Sequence, residues 1–563
     1  MDRLNLSGFR QFWTIAKPYW QGNEKWQARG LLLGVVLFLL AYTGLSVILN
    51  NKRGVLISAL SARDESRFWQ TVFVFIAVLV IYAPLLAGYR YLRDRLSLQW
   101  RRWLTTRFVD SYFNDRAYYE LTAKPEIDNP DQRIAEDVRS FTQESLAFLL
   151  VLVESVLSVI AFSGVLWGIS KPLVIFLVLY ALAGTLVTTV VFGKPLVRLN
   201  FEQLKKEADF RFSLVRIREN AEAIAFYRGE EQESNQVKAR FLEVFENVKR
   251  LLIWELNLNV LTNAYEFIPF ILPALVVAPA IFAGEMEVGK VTEAQGAFVR
   301  VFFSLNVVVA RFQALTTFGA GINRLSSFAE FLEQKDAVDE QAIIQTTEDD
   351  RITIEHLTLQ TPNRQRTLVE NLSIELPKQQ GLLVMGASGC GKSSLLRAIA
   401  GLWNSGTGTI VRPNLDQVLF LPQRPYMVLG TLRDQLLYPN SDLEIEDAQL
   451  QQILEQVNLA DLADRFGGFG AKQEWSDVLS LGEQQRLTFA RLLLNKPDYA
   501  ILDEATSALD QANEERLYEH LERVGTTFLS VGHRSTLAKY HQAILEFSQD
   551  KTWKLKHPQE VSN

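Results

Sequence analysis

Apolar and polar positions alternate along the chain on two length scales, and the first half follows the longer one. No charged residue occurs from Gly30 to Leu49, from Phe68 to Tyr89 or from Pro172 to Gly193, and Leu146 to Ile169 is interrupted only by Glu154. As helix, at roughly 1.5 Å of rise per residue, each stretch is long enough to cross a bilayer core of about 30 Å. Two further candidates lie at about 260–283, which includes Glu266, and 297–320, which includes Arg300 and Arg311, so six spans are predicted. Ahead of them, Phe9, Phe12, Trp13, Tyr19 and Trp20 interleave with Arg10, Lys17 and Lys25, a mixture that suits a retained helix lying in the headgroup layer.

Charge separates the spans unevenly. Arg90 to Ser145 and Lys194 to Glu255 are long, charged and helix-compatible, which predicts membrane helices that continue into the cytosol, turn back and reach a soluble partner domain. Arg90, Arg93, Arg95, Arg101 and Arg102 directly follow the second span, and positive charge favours the cytoplasmic side. An even number of spans then leaves both termini cytoplasmic, although the Asn50 to Arg67 loop, with Lys52, Arg53, Arg63 and Arg67, pulls the other way.

After about residue 330 the period shortens. Short β-type runs, Arg351 to Leu359, Leu382 to Met385, Val418 to Leu421 and Phe528 to Val531, alternate with helical patterns and predict an α/β domain with a mostly parallel sheet. The fold class expected is a multidomain membrane protein, an all-α six-helix transmembrane domain followed by an α/β P-loop cassette. The expected divisions are an amphipathic segment 1–28, a transmembrane domain 29–330, a linker 331–350 and a nucleotide-binding domain 351–563.

Composition narrows the chemistry. Of 563 residues, 58 are Lys or Arg and 64 are Asp or Glu, a net charge of -6 that disfavours nucleic acid as a partner. A single cysteine excludes an internal disulfide and a Cys-rich metal site within one chain.

Gly386-Ala387-Ser388-Gly389-Cys390-Gly391-Lys392-Ser393-Ser394 fits GxxxxGK[ST] between an apolar strand and a helix expected over Ser394 to Ala400. Its glycines free backbone N–H groups to surround phosphates, Lys392 supplies a cation and the Ser393 hydroxyl suits Mg²⁺. Cys390 is read as a small loop residue. Downstream, Tyr499-Ala500-Ile501-Leu502-Asp503-Glu504 ends an apolar strand in two carboxylates, Asp503 for the metal shell and Glu504 to polarise water. His533, after another apolar strand, is placed to meet a γ-phosphate.

With these residues assembled, the chain resembles the ATP-binding cassette transporters. Leu479-Ser480-Leu481-Gly482-Glu483-Gln484-Gln485-Arg486 is similar to that family's signature sequence, Gln423 matches its Q-loop, Ser507-Ala508-Leu509-Asp510 its D-loop and His533 its switch histidine. The motifs follow the family's order over about 150 residues. The resemblance implies an exporter-type membrane fold and carries ATP and Mg²⁺ to named positions. Residues 386–394, with Ser480, Gly482 and Asp510, would bind nucleotide, and Ser393, Gln423 and Asp503 the metal. Glu504, Gln423 and His533 would carry hydrolysis.

Because the family's sites join the loop of one cassette to the signature of another, the single loop and single signature imply a second chain, most simply a second copy of this one, with a paralogous chain as the alternative. A bilayer and a peptide or small-molecule cargo complete the implied partners, and a plasma (inner) membrane location is expected. The competing expectation is a membrane-bound regulatory ATPase that moves nothing. Asn129-Pro130-Asp131-Gln132-Arg133-Ile134, Glu222 to Gly229 and Glu474 to Val478 resemble motifs of the fatty-acyl subfamily D transporters, while Leu481 and Glu483 look more like the bacterial SbmA/BacA-like group, associated with peptide, bleomycin and cobalamin passage. Two positions depart from the family pattern. No Phe, Tyr or Trp lies between Arg351 and Gly381 to stack on adenine, and Leu481 stands where glycine is usual. Glu154 and Arg311, placed inside apolar spans, are expected to line a polar cavity.

Overall fold

The computed structural model describes residues 4–122, 127, 129–307, 311–333, 344–440 and 442–560. Contacts divide the chain into two compact units, Met1–Asp336 and Ala337–Asn563.

The first unit is helical throughout its main elements. Helix α1 (Leu4–Gln21) is followed by α2 (Lys25–Ser61), α3 (Glu65–Phe113), α4 (Val138–Ile169) and α5 (Lys171–Thr188). After these come α6 (Lys194–Glu219), the short α7 (Ala221–Tyr227), α8 (Glu230–Phe282), α9 (Gly289–Leu305) and α10 (Phe312–Glu333). Five helices, Lys25–Ser61, Glu65–Leu121, Pro130–Ile169, Lys171–Glu219 and Glu230–Phe282, are long and apolar enough to cross a membrane. The sixth predicted span is divided between α9, which ends at Leu305, and α10, which starts at Phe312. Residues 308–310 between them lie outside the described residues.

The spans outrun their uncharged cores. At 49 residues α3 is about 73 Å long, so the charged stretch after Tyr89 continues the helix as expected. The predicted Asn50 to Arg67 loop is instead largely helix, because α2 runs to Ser61 and carries Lys52 and Arg53 on its last turns. Asp64 then caps α3 by accepting from the Arg67 N–H at 3.0 Å. Backbone contact fixes where α2 meets α9: a Cβ at Gly289 would stand 1.8 Å from the Gly54 carbonyl oxygen, so only glycine permits that crossing.

Helix α8 contains Pro269, Pro273 and Pro279. Pro269 has no N–H to offer the carbonyl of Tyr265 four residues back, and the Tyr180 hydroxyl of α5 donates to that carbonyl at 2.8 Å. The Tyr265 hydroxyl returns a bond to the Tyr180 carbonyl at 2.8 Å, and the two rings stack with centroids 4.4 Å apart. Arg133, from the Asn129 to Ile134 motif, is buried and donates to the Arg324 carbonyl and the Ser327 hydroxyl of α10.

In the second unit, strands β1 (Gln345–Glu348) to β10 (Trp553–Lys556) form two sheets. The larger has the order β10-β9-β4-β8-β7-β6, where β4 is Gly381–Gly386, β6 Val418–Leu421, β7 Tyr499–Asp503, β8 Thr527–Val531 and β9 Ala543–Phe547. It is parallel except where β10 joins β9. The smaller sheet, β1-β5-β2-β3, corrects the expectation that the predicted β2 run (Ile352–Gln360) belongs to a parallel sheet. There β2 pairs antiparallel with both β3 (Thr367–Leu376) and β5 (Gly406–Arg412). β1 falls inside the predicted linker, whose residues 334–343 lie outside the described residues.

Two apolar clusters hold this unit. One joins the smaller sheet to the helix after β4, through Leu357, Leu372, Leu395 and Ile399; the other centres on Leu487, Leu492, Leu502 and Leu521.

Candidate nucleotide-hydrolysis site

Because β4, β8, β7 and β6 are adjacent and parallel, their carboxyl ends open on one edge of the sheet, where ligands of open α/β folds bind. Each strand delivers one predicted element to that edge. β4 runs into the glycine loop, β7 ends in Asp503 and Glu504, β6 leads to Gln423, and β8 leads to His533.

The loop turns where its glycines permit. Gly386, Gly389 and Gly391 adopt φ of 147°, 79° and 105°, a region that side chains rarely occupy. A Cβ on Gly386 would lie 2.6 Å from the Phe547 carbonyl oxygen. The loop then opens the helix α11 (Lys392–Ile399), which starts two residues earlier than the sequence pattern suggests. Ala387, Ser388 and Gly389 are exposed, Cys390 is a buried free thiol, and Ser394 is half-buried in the first turn.

The Lys392 ammonium is buried and donates to the carbonyls of Gly386 (2.8 Å) and Ala387 (3.0 Å), spanning the loop from inside. The Ser393 hydroxyl donates to Asp503 at 3.2 Å. Burial holds the Asp503 carboxyl above the ordinary carboxylate range, with the Ser393 bond opposing that shift and the charge of Glu504 adding to it.

The three predicted hydrolytic residues meet on one carboxylate. The Gln423 amide donates to one Glu504 oxygen at 2.7 Å, and His533 Nε2 lies 3.1 Å from the other. Glu504 takes a left-handed backbone, φ 49°, with its N–H on the Val531 carbonyl, which aims its side chain across the strand ends.

Ser480 and Gly482 sit at the start of another helix. Ser480 caps helix α14 (Leu481–Asn495), following α12 (Leu432–Leu437) and α13 (Leu462–Phe466), and its polar atoms are engaged by Glu483 of its own helix. A Cβ on Gly482 would come 3.2 Å from the Ala508 carbonyl oxygen, so the signature helix lies close against the loop before Asp510. Asp510 caps α15 (Gln511–Val524) by accepting from the Asn513 N–H at 2.8 Å, which holds its carboxyl below the usual range.

Sequence reasoning passed over Gln485. Almost fully buried, it accepts from the Ala508 N–H at 3.0 Å and donates to the Gln423 carbonyl (3.3 Å) and the Ser507 hydroxyl (3.2 Å), joining the signature helix to both flanking loops. The available signal was a glutamine on the apolar face of an amphipathic helix. Arg491, on the same helix, is buried against the carbonyls of Gln435 and Tyr426, and burial lowers its pKa to about 10.

The first unit has its own candidate site, a cavity of about 650 Å³. Its lining includes Tyr42, Tyr89, Arg90, Arg101, Glu154 and Arg311, so both charges singled out in the sequence reach it, although Arg311 lies in the turn just before α10 and not inside a helix as expected. Glu154 accepts from Arg300 of α9 at 3.0 Å. Among the described residues no group of three or more His, Cys, Asp or Glu is placed to hold a metal.

A phosphate loop, an acidic strand end and a parallel sheet, on one chain with helices long enough to span a bilayer, define a membrane-bound nucleotide hydrolase. Residues 15–282 match the ABC transporter transmembrane region 2 family, and residues 369–507 the ABC transporter family. An uncharacterized ABC transporter ATP-binding protein of Synechocystis is 46% identical over 545 residues, covering 95% of this chain and 82% of its own length. ABC transporter D family member 2, chloroplastic, of Arabidopsis thaliana is 41% identical over 97% of this chain and 88% of its own. The human lysosomal cobalamin transporter ABCD4 is 30% identical over 98% of this chain and 97% of its own. The chain belongs to the ABC transporter family. It is a half-transporter that binds ATP and couples its hydrolysis to the movement of a substrate across a membrane.

Proposed function

We propose that two copies of the chain pair so that the glycine loop of each faces the signature helix of the other, with ATP between them. The observation that carries this reading is the separation of roles within one chain. Lys392, Ser393, Asp503, Glu504, Gln423 and His533 share one sheet edge, whereas Ser480 sits at the start of another helix and donates there to Glu483.

In this reading the loop N–H groups and Lys392 hold the phosphates, and Ser480 and Gly482 of the second copy close over the γ-phosphate. Ser393 and Asp503, joined at 3.2 Å, and Gln423 offer the oxygen donors that suit Mg²⁺, which keeps few protein ligands beside the phosphates. When bound, Mg²⁺ neutralises charge that develops on the transferred phosphoryl group. Glu504 accepts the proton of the attacking water, and Gln423 and His533 orient its carboxylate.

The cargo is bulky or amphipathic, of peptide, cobalamin-like or fatty-acyl type. A cavity of about 650 Å³ with arginines, tyrosines and a leucine-lined wall supports it, since such volumes suit large organic ligands. Two of the three relatives carry subfamily D names, one a cobalamin transporter, which supports the D-like resemblance and lends nothing to the SbmA/BacA-like one. A plasma (inner) membrane with cytoplasmic termini completes the reading, and the arginines after the second span support the placement of the termini.

Purified protein in liposomes, given ATP and Mg²⁺ on the cassette side, is expected to move a labelled cargo, and Glu504→Gln to retain ATP while movement stops. A Glu504→Gln variant that still hydrolyses and transports at the wild-type rate would remove the assigned role.

A further inference from the structure

The signature serine is committed elsewhere in its own chain. A serine hydroxyl has one proton to give, and that of Ser480 is given to Glu483 Oε2 at 2.9 Å, which also receives the Ser480 N–H at 2.9 Å. The Glu483 N–H in turn reaches the Ser480 oxygen at 3.3 Å. This capping box stabilises the start of α14, but it also leaves a carboxylate competing for the proton that a γ-phosphate needs.

The other oxygen of that carboxylate is held from outside the helix. Arg465, on α13, donates to Glu483 Oε1 at 2.6 Å. The contact holds the Glu483 carboxyl below its ordinary value against the opposing effect of burial, and raises the pKa of Arg465. Arg465 is itself placed by packing: its guanidinium lies over the Phe466 ring at 5.3 Å, and Phe466 meets Trp475 edge-on at 5.2 Å. Trp475, from the Glu474 to Val478 motif, is fully buried, and its indole donates to the Gly430 carbonyl at 3.0 Å.

We propose that Arg465 is a positioning residue for the signature serine, drawing the Glu483 carboxylate onto itself so that the Ser480 hydroxyl is free to turn to the γ-phosphate held by the second copy. Two physical effects act in the same direction. A guanidinium on Oε1 reduces the basicity of Oε2, which weakens its hold on the Ser480 proton. The guanidinium also offsets the negative charge that Glu483 places beside an incoming triphosphate. The inference rests on the paired-cassette reading given above. Asp461, 3.7 Å from Arg465, is the other carboxylate facing the guanidinium.

The test is a double-mutant cycle on the full-length protein in nanodiscs, measuring ATP hydrolysis against ATP concentration. Arg465→Ala is expected to raise the half-saturating ATP concentration about tenfold with a smaller change in maximal rate. Arg465→Lys, which keeps the charge, restores most of the affinity. In a Glu483→Gln background, Arg465→Ala has little further effect, because the competing carboxylate is gone. An equal shift in both backgrounds, or wild-type saturation in Arg465→Ala, overturns the proposal. Ser480→Ala is included in the same assay: if it hydrolyses ATP like the wild type, the paired-cassette reading itself fails.

Discussion

Gln485 offers a test in which stability and turnover separate. Replacing it with leucine, close in size, removes its acceptor from the Ala508 N–H and its donor from the Gln423 carbonyl and Ser507 hydroxyl. A buried group left without a partner costs about 1–3 kcal/mol. Gln423, Ser507 and Ala508 all lie on exposed loops where water takes over, so the low end applies, about 1–2 kcal/mol for Gln485→Leu. Turnover should suffer as well, because the Q-loop that carries the Gln423 amide to Glu504 loses its tie to the signature helix. A loss of about 1.4 kcal/mol in the transition state is tenfold in rate. The assay pairs ATPase kinetics with thermal melting in detergent. Gln485→Leu is expected to bind nucleotide normally, since Lys392 and Ser393 are untouched, and to turn over about tenfold more slowly. Gln485→Glu, which keeps the Ala508 acceptor but loses the donor, should fall between. A Gln485→Leu protein with lowered melting temperature and a wild-type rate would refute the reasoning, leaving Gln485 a packing residue only.

Two further outcomes are expected. His541 is buried, donates through Nδ1 to the Leu537 carbonyl at 2.7 Å, and burial pushes its pKa down to about 4. The unfolded chain binds a proton at about pH 6.5 that the folded one refuses, so stability falls as pH drops below that value, by on the order of 2 kcal/mol at about pH 5. His541→Phe should show a shallower loss of melting temperature between about pH 7 and about pH 5, and an unchanged slope would contradict the assignment. Replacing Glu154 or Arg311, both on the wall of the membrane cavity, with an apolar residue should alter transport while ATP binding stays intact; unchanged transport by both variants would dissociate the cavity from the cargo.

Where a run of sequence determines its own conformation, it was readable. The glycine loop, the Asp503–Glu504 strand end and the uncharged spans announce themselves through backbone freedom, charge at an apolar terminus and length. The smaller sheet was not readable as antiparallel, because β2 and β3 take their pairing from partners distant in sequence, as in the register of Ile354 with both Ile374 and Ile410. The Asn50 to Arg67 segment misled for a related reason: Lys52 and Arg53 look like loop charges, but α2 continues under them to meet α9 at Gly54 and Gly289. At the site, identities were legible and mutual contacts were not. Nothing local says that Gln423 and His533 would converge on one Glu504 carboxylate, or that Gln485 would bridge two loops. Those contacts depend on strand order, which puts β6, β7 and β8 side by side.

The pairing of two chains across shared nucleotide is tested most directly by complementation between two inactive variants, Lys392→Ala, which disables the glycine loop, and Gly482→Asp, which disables the signature. Each alone should hydrolyse no ATP. Mixed in one membrane, the heterodimer retains one complete site, formed by the intact loop of one chain and the intact signature of the other. With random pairing about a quarter of the wild-type activity should return. If the mixture stays as inactive as either variant alone, loop and signature act within a single chain, and the paired-cassette account is wrong.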